Sequence, residues 1–218
     1  LERSKELTKK TILPAAGADY VSRYLDATAP TAIAGRLIRY DGKKGTFTFH
    51  DDGSKVSSEV TWVALCGETM IAWVKFGPEG EPPDRRGGLL FEGFELPLRQ
   101  ELGDFDESEW PLGLSGGIED PWRHEVSIVL QRQDTDELAT FSTMSKTGRR
   151  AVSTLLQHYR RSQKTAPGSL PIVKLKSGSY KHERFGEVAI PILQVCGRVS
   201  ANGAASSDEK EMSDSIPF

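Results

Sequence analysis

From about residue 32 to residue 76, apolar and polar positions alternate with the two-residue rhythm of half-buried β-strands. Residues 33–40 and 46–50 read as two strands joined by the loop Asp41-Gly42-Lys43-Lys44-Gly45. Asp51-Asp52-Gly53-Ser54 is a second turn, and residues 60–65 and 70–76 read as a further hairpin around Cys66-Gly67-Glu68. Ahead of these strands, residues 19–25 fit a short helix that stops across 27–30.

The rhythm breaks over residues 77–120. That stretch holds Pro78, Pro82, Pro83, Pro97 and Pro111, and only 88–94 reads as a strand. It predicts a long excursion over the core, anchored by Phe91, Phe94, Phe105 and Trp110. Alternation returns in 126–131 and 138–143, joined by the polar turn Asp134-Thr135-Asp136. The period then changes to that of a helix over 147–164. Ala151, Val152, Leu155, Leu156 and Tyr159 form one apolar stripe, with Thr147 as N-cap and Ala166-Pro167-Gly168 as the stop. Residues 172–176 and 188–199 are the last strands, with Ser177-Gly178-Ser179-Tyr180-Lys181-His182 as a flexible basic-aromatic loop between them.

This order predicts a mainly β fold with one clear helix. An OB-like barrel, in which a helix sits between the third and fourth strands, fits it best, with a β-sandwich as the alternative. Residues 1–199 make the globular part. From residue 200 the chain turns to Ser, Ala, Gly, Asp and Glu, too polar to bury surface against its ordering entropy, so 200–218 reads as a disordered tail.

Charge changes this picture more than composition does. The chain's net charge of −3 hides three blocks. Residues 79–120 carry twelve acids against Arg85, Arg86 and Arg99, a net of −9. Residues 142–185 carry ten Lys and Arg against Glu183, a net of +9, and residues 200–218 carry a net of −3. Such asymmetry suits a polyanion-binding surface together with segments that compete for it. The charges leave open whether the first two blocks pair with each other in the fold, or whether the acidic stretch lies over the basic one as a self-inhibiting cover.

With 37% apolar and 27% charged residues, no run long enough to cross a bilayer and no signal-type stretch at the start, the expectation is a cytoplasmic protein. Cys66 and Cys196 leave a disulfide open, two buried thiols being the simpler expectation. His50, His124, His158 and His182 lie far apart with no CxxC, so no metal and no cofactor are expected.

The last residues are Met212-Ser213-Asp214-Ser215-Ile216-Pro217-Phe218. An acidic linker ending in Ile-Pro-Phe resembles the C-terminal tip of bacterial single-stranded-DNA-binding proteins, with Ser213 and Ser215 interrupting the usual run of acids. The resemblance implies docking on replication, recombination and repair proteins. Phe218 would fill an apolar pocket, its carboxylate would meet a basic rim, Pro217 would restrict the backbone beside Ile216, and Asp214 would steer. The body resembles phage or prophage-encoded proteins of that kind in Thr11-Ile12-Leu13-Pro14, Gly80-Glu81-Pro82-Pro83-Asp84 and Ser145-Lys146-Thr147-Gly148-Arg149-Arg150-Ala151.

Single-stranded DNA needs cations for its phosphates and exposed rings for its bases. The candidate set is Lys146, Arg149 and Arg150 at the helix start, Lys174, Lys176, Tyr180, Lys181 and His182 after it, and Trp122 with Arg123. Trp122 is the tryptophan expected to be exposed, whereas Trp62 and Trp73 belong to the core. The expectation is therefore a sequence-tolerant single-stranded-DNA-binding protein, not an enzyme and with no catalytic residues, which recruits partners through its tip and is a candidate homo-oligomer. The rival is an adaptor or decoy that displays the tail without touching DNA. A magnesium-dependent nuclease using Asp104, Asp106, Glu107, Glu109 and Asp120 ranks below both.

Overall fold

A computed structural model of the chain describes residues 34–78, 80–113, 116–183, 186–200 and 205–206. The 19–25 helix, the 11–14 phrase, Arg184, Phe185 and the 207–218 tip lie outside them.

The described strands form a single sheet. They are β1 (Arg36–Asp41), β2 (Thr46–Phe49), β3 (Thr61–Lys75), β4 (Asp84–Leu89), β5 (Trp122–Arg132), β6 (Leu138–Thr143), β7 (Ser169–His182), β8 (Gly186–Ser200) and β9 (Ala205–Ser206). Their order is β2-β1-β6-β5-β3-β7-β8-β9, with β4 paired on the second half of β3. β3, β5 and β6 are an antiparallel meander, α1 (Lys146–Ser162) follows β6, and β7 returns to pair with the start of β3. That is the OB order, and the sheet curls into a nearly closed barrel. β2 lies against β7 at the seam, where Tyr40 Oη and Ser177 Oγ are 2.6 Å apart. β1 fills the place beside β6 and runs parallel to it. Gly35 makes that entry possible. Its φ is +67°, and a Cβ there would lie 1.8 Å from the Leu138 carbonyl oxygen.

Alternation decides what faces the barrel interior. Trp62, Ala64 and Cys66 of β3, Val126, Ile128 and Leu130 of β5, Phe141 of β6, and Val173 and Leu175 of β7 form one buried cluster. Val152 and Leu155 of α1 join it, with Ala151, Leu156 and Tyr159 half-buried around them. Full burial of two such side chains stabilises the helix's position by about 1.5–3 kcal/mol each.

Several local expectations need correction. Residues 60–76 are one continuous strand and not a hairpin. Cys66-Gly67-Glu68 sits at an irregularity in the β3–β5 register, where the Thr69 hydroxyl donates to the Cys66 carbonyl at 2.7 Å. A bulge absorbs the two polar residues that read as a turn. The helix N-cap is Ser145, which accepts from the Gly148 N–H at 3.0 Å, in place of Thr147. Residues 177–182 are the outer half of β7, paired as far as His182 with Gly186, and not a loop. β4 begins at Asp84 and ends at Leu89, where a 3-10 turn (Leu90–Glu92) replaces the rest of the expected strand. The tail's first residues are not unstructured throughout, since Ala205–Ser206 pairs with Arg198 and Val199. Both cysteines are free thiols, but only Cys66 is buried, which pushes its thiol up to about 12, while Cys196 is exposed.

Candidate nucleic-acid interface

α1 carries five of the basic block's cations, Lys146, Arg149, Arg150, Arg160 and Arg161, and no acid. Lys164 extends the series just past its end. With Val152 and Leu155 turned into the barrel, Lys146, Arg150, Arg160, Arg161 and Lys164 are exposed and Arg149 is half-buried. Among the described residues none of these six has an ion-pair partner. Like charges four apart on a helix, as at Lys146 and Arg150, repel by a few tenths of a kcal/mol each. The helix is therefore built at a cost that an anion would relieve.

Two histidines register this field. His124 lies beside Trp73, and burial together with the nearby Arg149 holds it below its ordinary value of 6.5. His158 on α1 is lowered by burial, with Arg198 and Arg161 adding to it. The helix is also clamped at its far end. The Gln163 side chain donates to the Ser169 carbonyl at 2.7 Å and accepts from the Gly168 N–H at 2.8 Å.

The sequence-predicted residues do not form one surface. α1 packs chiefly against β8, on the face of the β7–β8 sheet that bears Val173, Leu175, Leu193 and Val195. Lys174, Lys176, Tyr180 and His182 alternate with those positions and point to the opposite face. Lys174 donates to Glu59 at 3.0 Å, and the Tyr180 and His182 rings stand 6.2 Å apart. Lys181 lies on the reverse side of the strand from them. The sequence reading missed Arg160, Arg161 and Lys164 as members of the helix surface. The signal was the absence of any acid between residues 142 and 182.

Trp122 and Arg123 occupy a third place, at the base of the excursion. Trp122 is only 3% exposed, so it is not the open stacking platform its Pro-Arg neighbours suggested. Its Nε1 donates to Asp104 Oδ2 at 2.8 Å, and the Arg86 guanidinium lies 4.7 Å over its ring. Arg123 is paired with Glu119.

The excursion is a tied structure. Asp104, with φ of 55°, accepts from Lys75 Nζ at 2.7 Å and from Trp122, while its carbonyl accepts from Trp110 Nε1 at 2.8 Å. The hydrogen bonds from Lys75 and Trp122 hold the Asp104 carboxyl below its usual range. Arg99 donates to Asp120 and to the Gly103 carbonyl, both at 2.6 Å. The anchors of the segment are the buried Leu102 and Trp122, with Phe94 lying across Gly88. Of the other expected anchors, Phe91 is half-exposed but stands edge-on to Tyr159 of α1 at 5.7 Å, Trp110 is half-buried, and Phe105 is exposed. Asp104 and Asp120, two of the carboxylates considered for magnesium, are thus engaged by cations and an indole.

These contacts bear on one of the alternatives that the charge counts left open, direct pairing of the two blocks. Among the described residues no ion pair joins the 79–120 acids to the 142–183 cations. Asp84, Asp104, Glu119 and Asp120 take Arg86, Lys75, Arg123 and Arg99 instead.

OB barrels commonly bind ligands across the second and third meander strands. Here the corresponding outer face of β5 and β6 is closed, with Ser127, Val129 and Thr140 buried and Glu125 held by Arg85 and Ser142. An open cleft of about 450 Å³ lies instead at the barrel seam, lined by Lys43, Lys44, Ser177, Ser179 and Glu187. No helix among the described residues is long and apolar enough to cross a membrane. The chain matches no family model, no curated protein and no solved structure.

Proposed function

We propose that this protein binds single-stranded DNA without strong sequence preference, with the outer face of α1 as its phosphate track. It would serve phage or bacterial replication, recombination and repair, and recruit partner proteins through Ile216-Pro217-Phe218. The observation that carries this reading is the acid-free helix. Five cations are held on the helix against the barrel, with no carboxylate paired to them among the described residues. The OB-type barrel and the likeness of the tip support it from two further directions. Lys43 and Lys44, at the seam cleft, offer a second place for phosphate.

The closed outer face of β5 and β6 favours a second reading, the adaptor that displays the tip without binding nucleic acid. Fluorescence anisotropy with labelled oligo-dT and a matched duplex separates the two. It would use the full chain and a chain lacking residues 207–218, across a salt series. The expected result is tighter binding to the single strand, weakening steeply with salt and retained or strengthened without the acidic tip. No binding by either chain would eliminate the DNA role and select the adaptor.

A further inference from the structure

We propose that the excursion between β4 and β5 docks on the outer face of the β7–β8 hairpin of a second copy of this chain, in a head-to-tail contact. The starting observation is where apolar surface remains uncovered. Of the eight large hydrophobic side chains exposed among the described residues, Phe76, Phe91, Leu98, Phe105, Leu112 and Ile118 belong to the excursion and its approach. Leu112 is 75% exposed, Phe105 63% and Ile118 60%. A cluster of that kind marks an interaction site more often than it marks idle surface.

The cluster is also held in shape. Leu98 precedes Arg99, whose guanidinium lies 5.8 Å from the Phe105 ring and 5.9 Å from the Trp110 ring. Leu112 and Ile118 are joined by a β-bridge, Asp104 fastens the segment to Lys75 and Trp122 of the barrel, and Asp120 accepts from Arg99 within the segment and from the backbone N–H of Trp122. A surface already ordered loses little entropy on binding. Glu95, Glu107 and Glu109 stand exposed around it, with no cation paired to them among the described residues. The surface is thus apolar, rigid and acidic, and it calls for a partner that is apolar and basic.

The same chain carries such a face. Beyond Lys174, β7 is paired along its length only with β8, and the outer side of this arm presents Lys176, Ile190 and Ile192. Ile192 is exposed, and its side chain crosses the glycine opposite. A Cβ on Gly178 would lie 2.8 Å from Ile192 Cδ1. Ile190 and Ile192 therefore make a continuous apolar strip flanked by Lys174 and Lys176. Among the described residues no ion pair joins this face to the excursion of the same chain, so their complementarity is available between copies. A contact between two different surfaces repeats without closing, which produces an open string of copies. The contact leaves the cationic face of α1 uncovered, and its existence is independent of DNA.

The experiment is sedimentation velocity on the full chain without nucleic acid, over a concentration series at low and high salt. Three further samples carry the decision. One is Glu107→Lys with Glu109→Lys, another is Lys176→Glu with Gln194→Glu, and the third is an equimolar mixture of the two. All four positions are on the surface, and circular dichroism would verify that each variant is folded. Mass should rise with concentration for the unaltered chain, and each variant alone should associate at least about tenfold more weakly. The mixture should regain association, because each reversed surface then meets its opposite. Leu112→Ser should weaken assembly without any change of charge. A chain that stays monomeric throughout overturns the proposal and leaves a basic partner of another kind as the occupant. Variants that associate like the unaltered chain, or a mixture no better than its components, overturn it equally.

Discussion

The excursion and α1 are the two most highly charged parts of the molecule, of opposite sign, and they treat their charges differently. In the excursion, charge is used internally. Asp104 holds Lys75 and Trp122, Asp120 holds Arg99, and Glu119 holds Arg123. On α1 the cations stand on a well-capped helix without a counter-charge among the described residues. A carboxylate in the first region is mostly a structural fastening, whereas a guanidinium in the second has no structural task. Opposite net charges thus conceal different uses, and only geometry separates them.

The largest expected effect breaks the comparison on the helix side. Lys146→Glu, Arg150→Glu and Arg161→Glu together should reduce affinity for oligo-dT on the order of a hundredfold. The slope of log affinity against log salt should fall by about 2 in magnitude, or roughly 0.7 per lost phosphate contact. Thermal stability should hardly move, since these side chains support nothing. Anisotropy and a melting curve on the same samples read both quantities. Unchanged affinity would remove α1 from the DNA path and with it the main support for the proposed role.

The next effect belongs to the excursion and should have the reverse signature. Asp104→Ala leaves the buried Trp122 Nε1 without its acceptor and Lys75 without its partner. Stranding a buried donor costs about 1–3 kcal/mol, so the urea midpoint should fall while DNA affinity stays within a small factor. A loss of DNA binding at full folding would show that the two regions are not separable as described.

Much of the fold was legible in the residues because periodicity reports burial directly. The meander strands, the helix stripe of Val152 and Leu155, and the helix's position before the last hairpin all follow from it. What was not legible was anything decided by contacts distant in sequence. Gly67 and Glu68 look like a turn until β5 is seen to run past both halves of β3. Trp122, between a proline and an arginine, looks exposed until Asp104 closes over its nitrogen. Composition marked the basic block but not how the fold divides it between two faces. Alternation put Lys174 and Lys176 on one face, yet only the packing of α1 on β8 reveals that this face turns away from the helix.

A smaller effect follows from the two histidines and is read in stability against pH. His124 and His158 are both depressed, by burial first and by neighbouring arginines second. The unfolded chain therefore binds their protons before the folded one does. The stability they contribute is complete above about 6.5, their ordinary value, and declines as pH falls through that value towards their lower folded ones. Asp51, held near 2 chiefly by the Arg36 hydrogen bond, stays ionised throughout this window and does not confuse it. Melting temperatures between about pH 8 and pH 5.5 should slope downward, and His124→Gln with His158→Gln should flatten the slope. A polyanion on α1 should flatten it too, by offsetting the field of Arg149 and Arg161. If oligo-dT leaves the slope untouched, the strand does not pass close to these arginines.

The smallest effect is the one that sharpens the comparison most. Among the described residues Lys174 is the one cation of the basic block that pairs with a carboxylate, and its partner Glu59 is 77% exposed at 3.0 Å. Lys174 is also the main reason the Glu59 carboxyl sits below its ordinary value. An exposed pair of this kind is screened by solvent and contributes little, so Glu59→Gln should change stability very little. Its influence on binding is the informative part. If the strand crossed the outer face of the hairpin, freeing Lys174 would strengthen oligo-dT binding and steepen the salt dependence by up to about one phosphate contact. If that face instead receives the excursion of another copy, DNA affinity per chain should stay constant. Association should then strengthen slightly, because the face that meets the acidic excursion loses a carboxylate and Lys174 is released from it. The geometry favours the second outcome, since Lys174 and Lys176 point away from α1. A steeper salt dependence in Glu59→Gln would therefore assign the hairpin to the proposed DNA surface and not to the proposed copy-to-copy contact, and the division of work proposed for the two charged regions would fail.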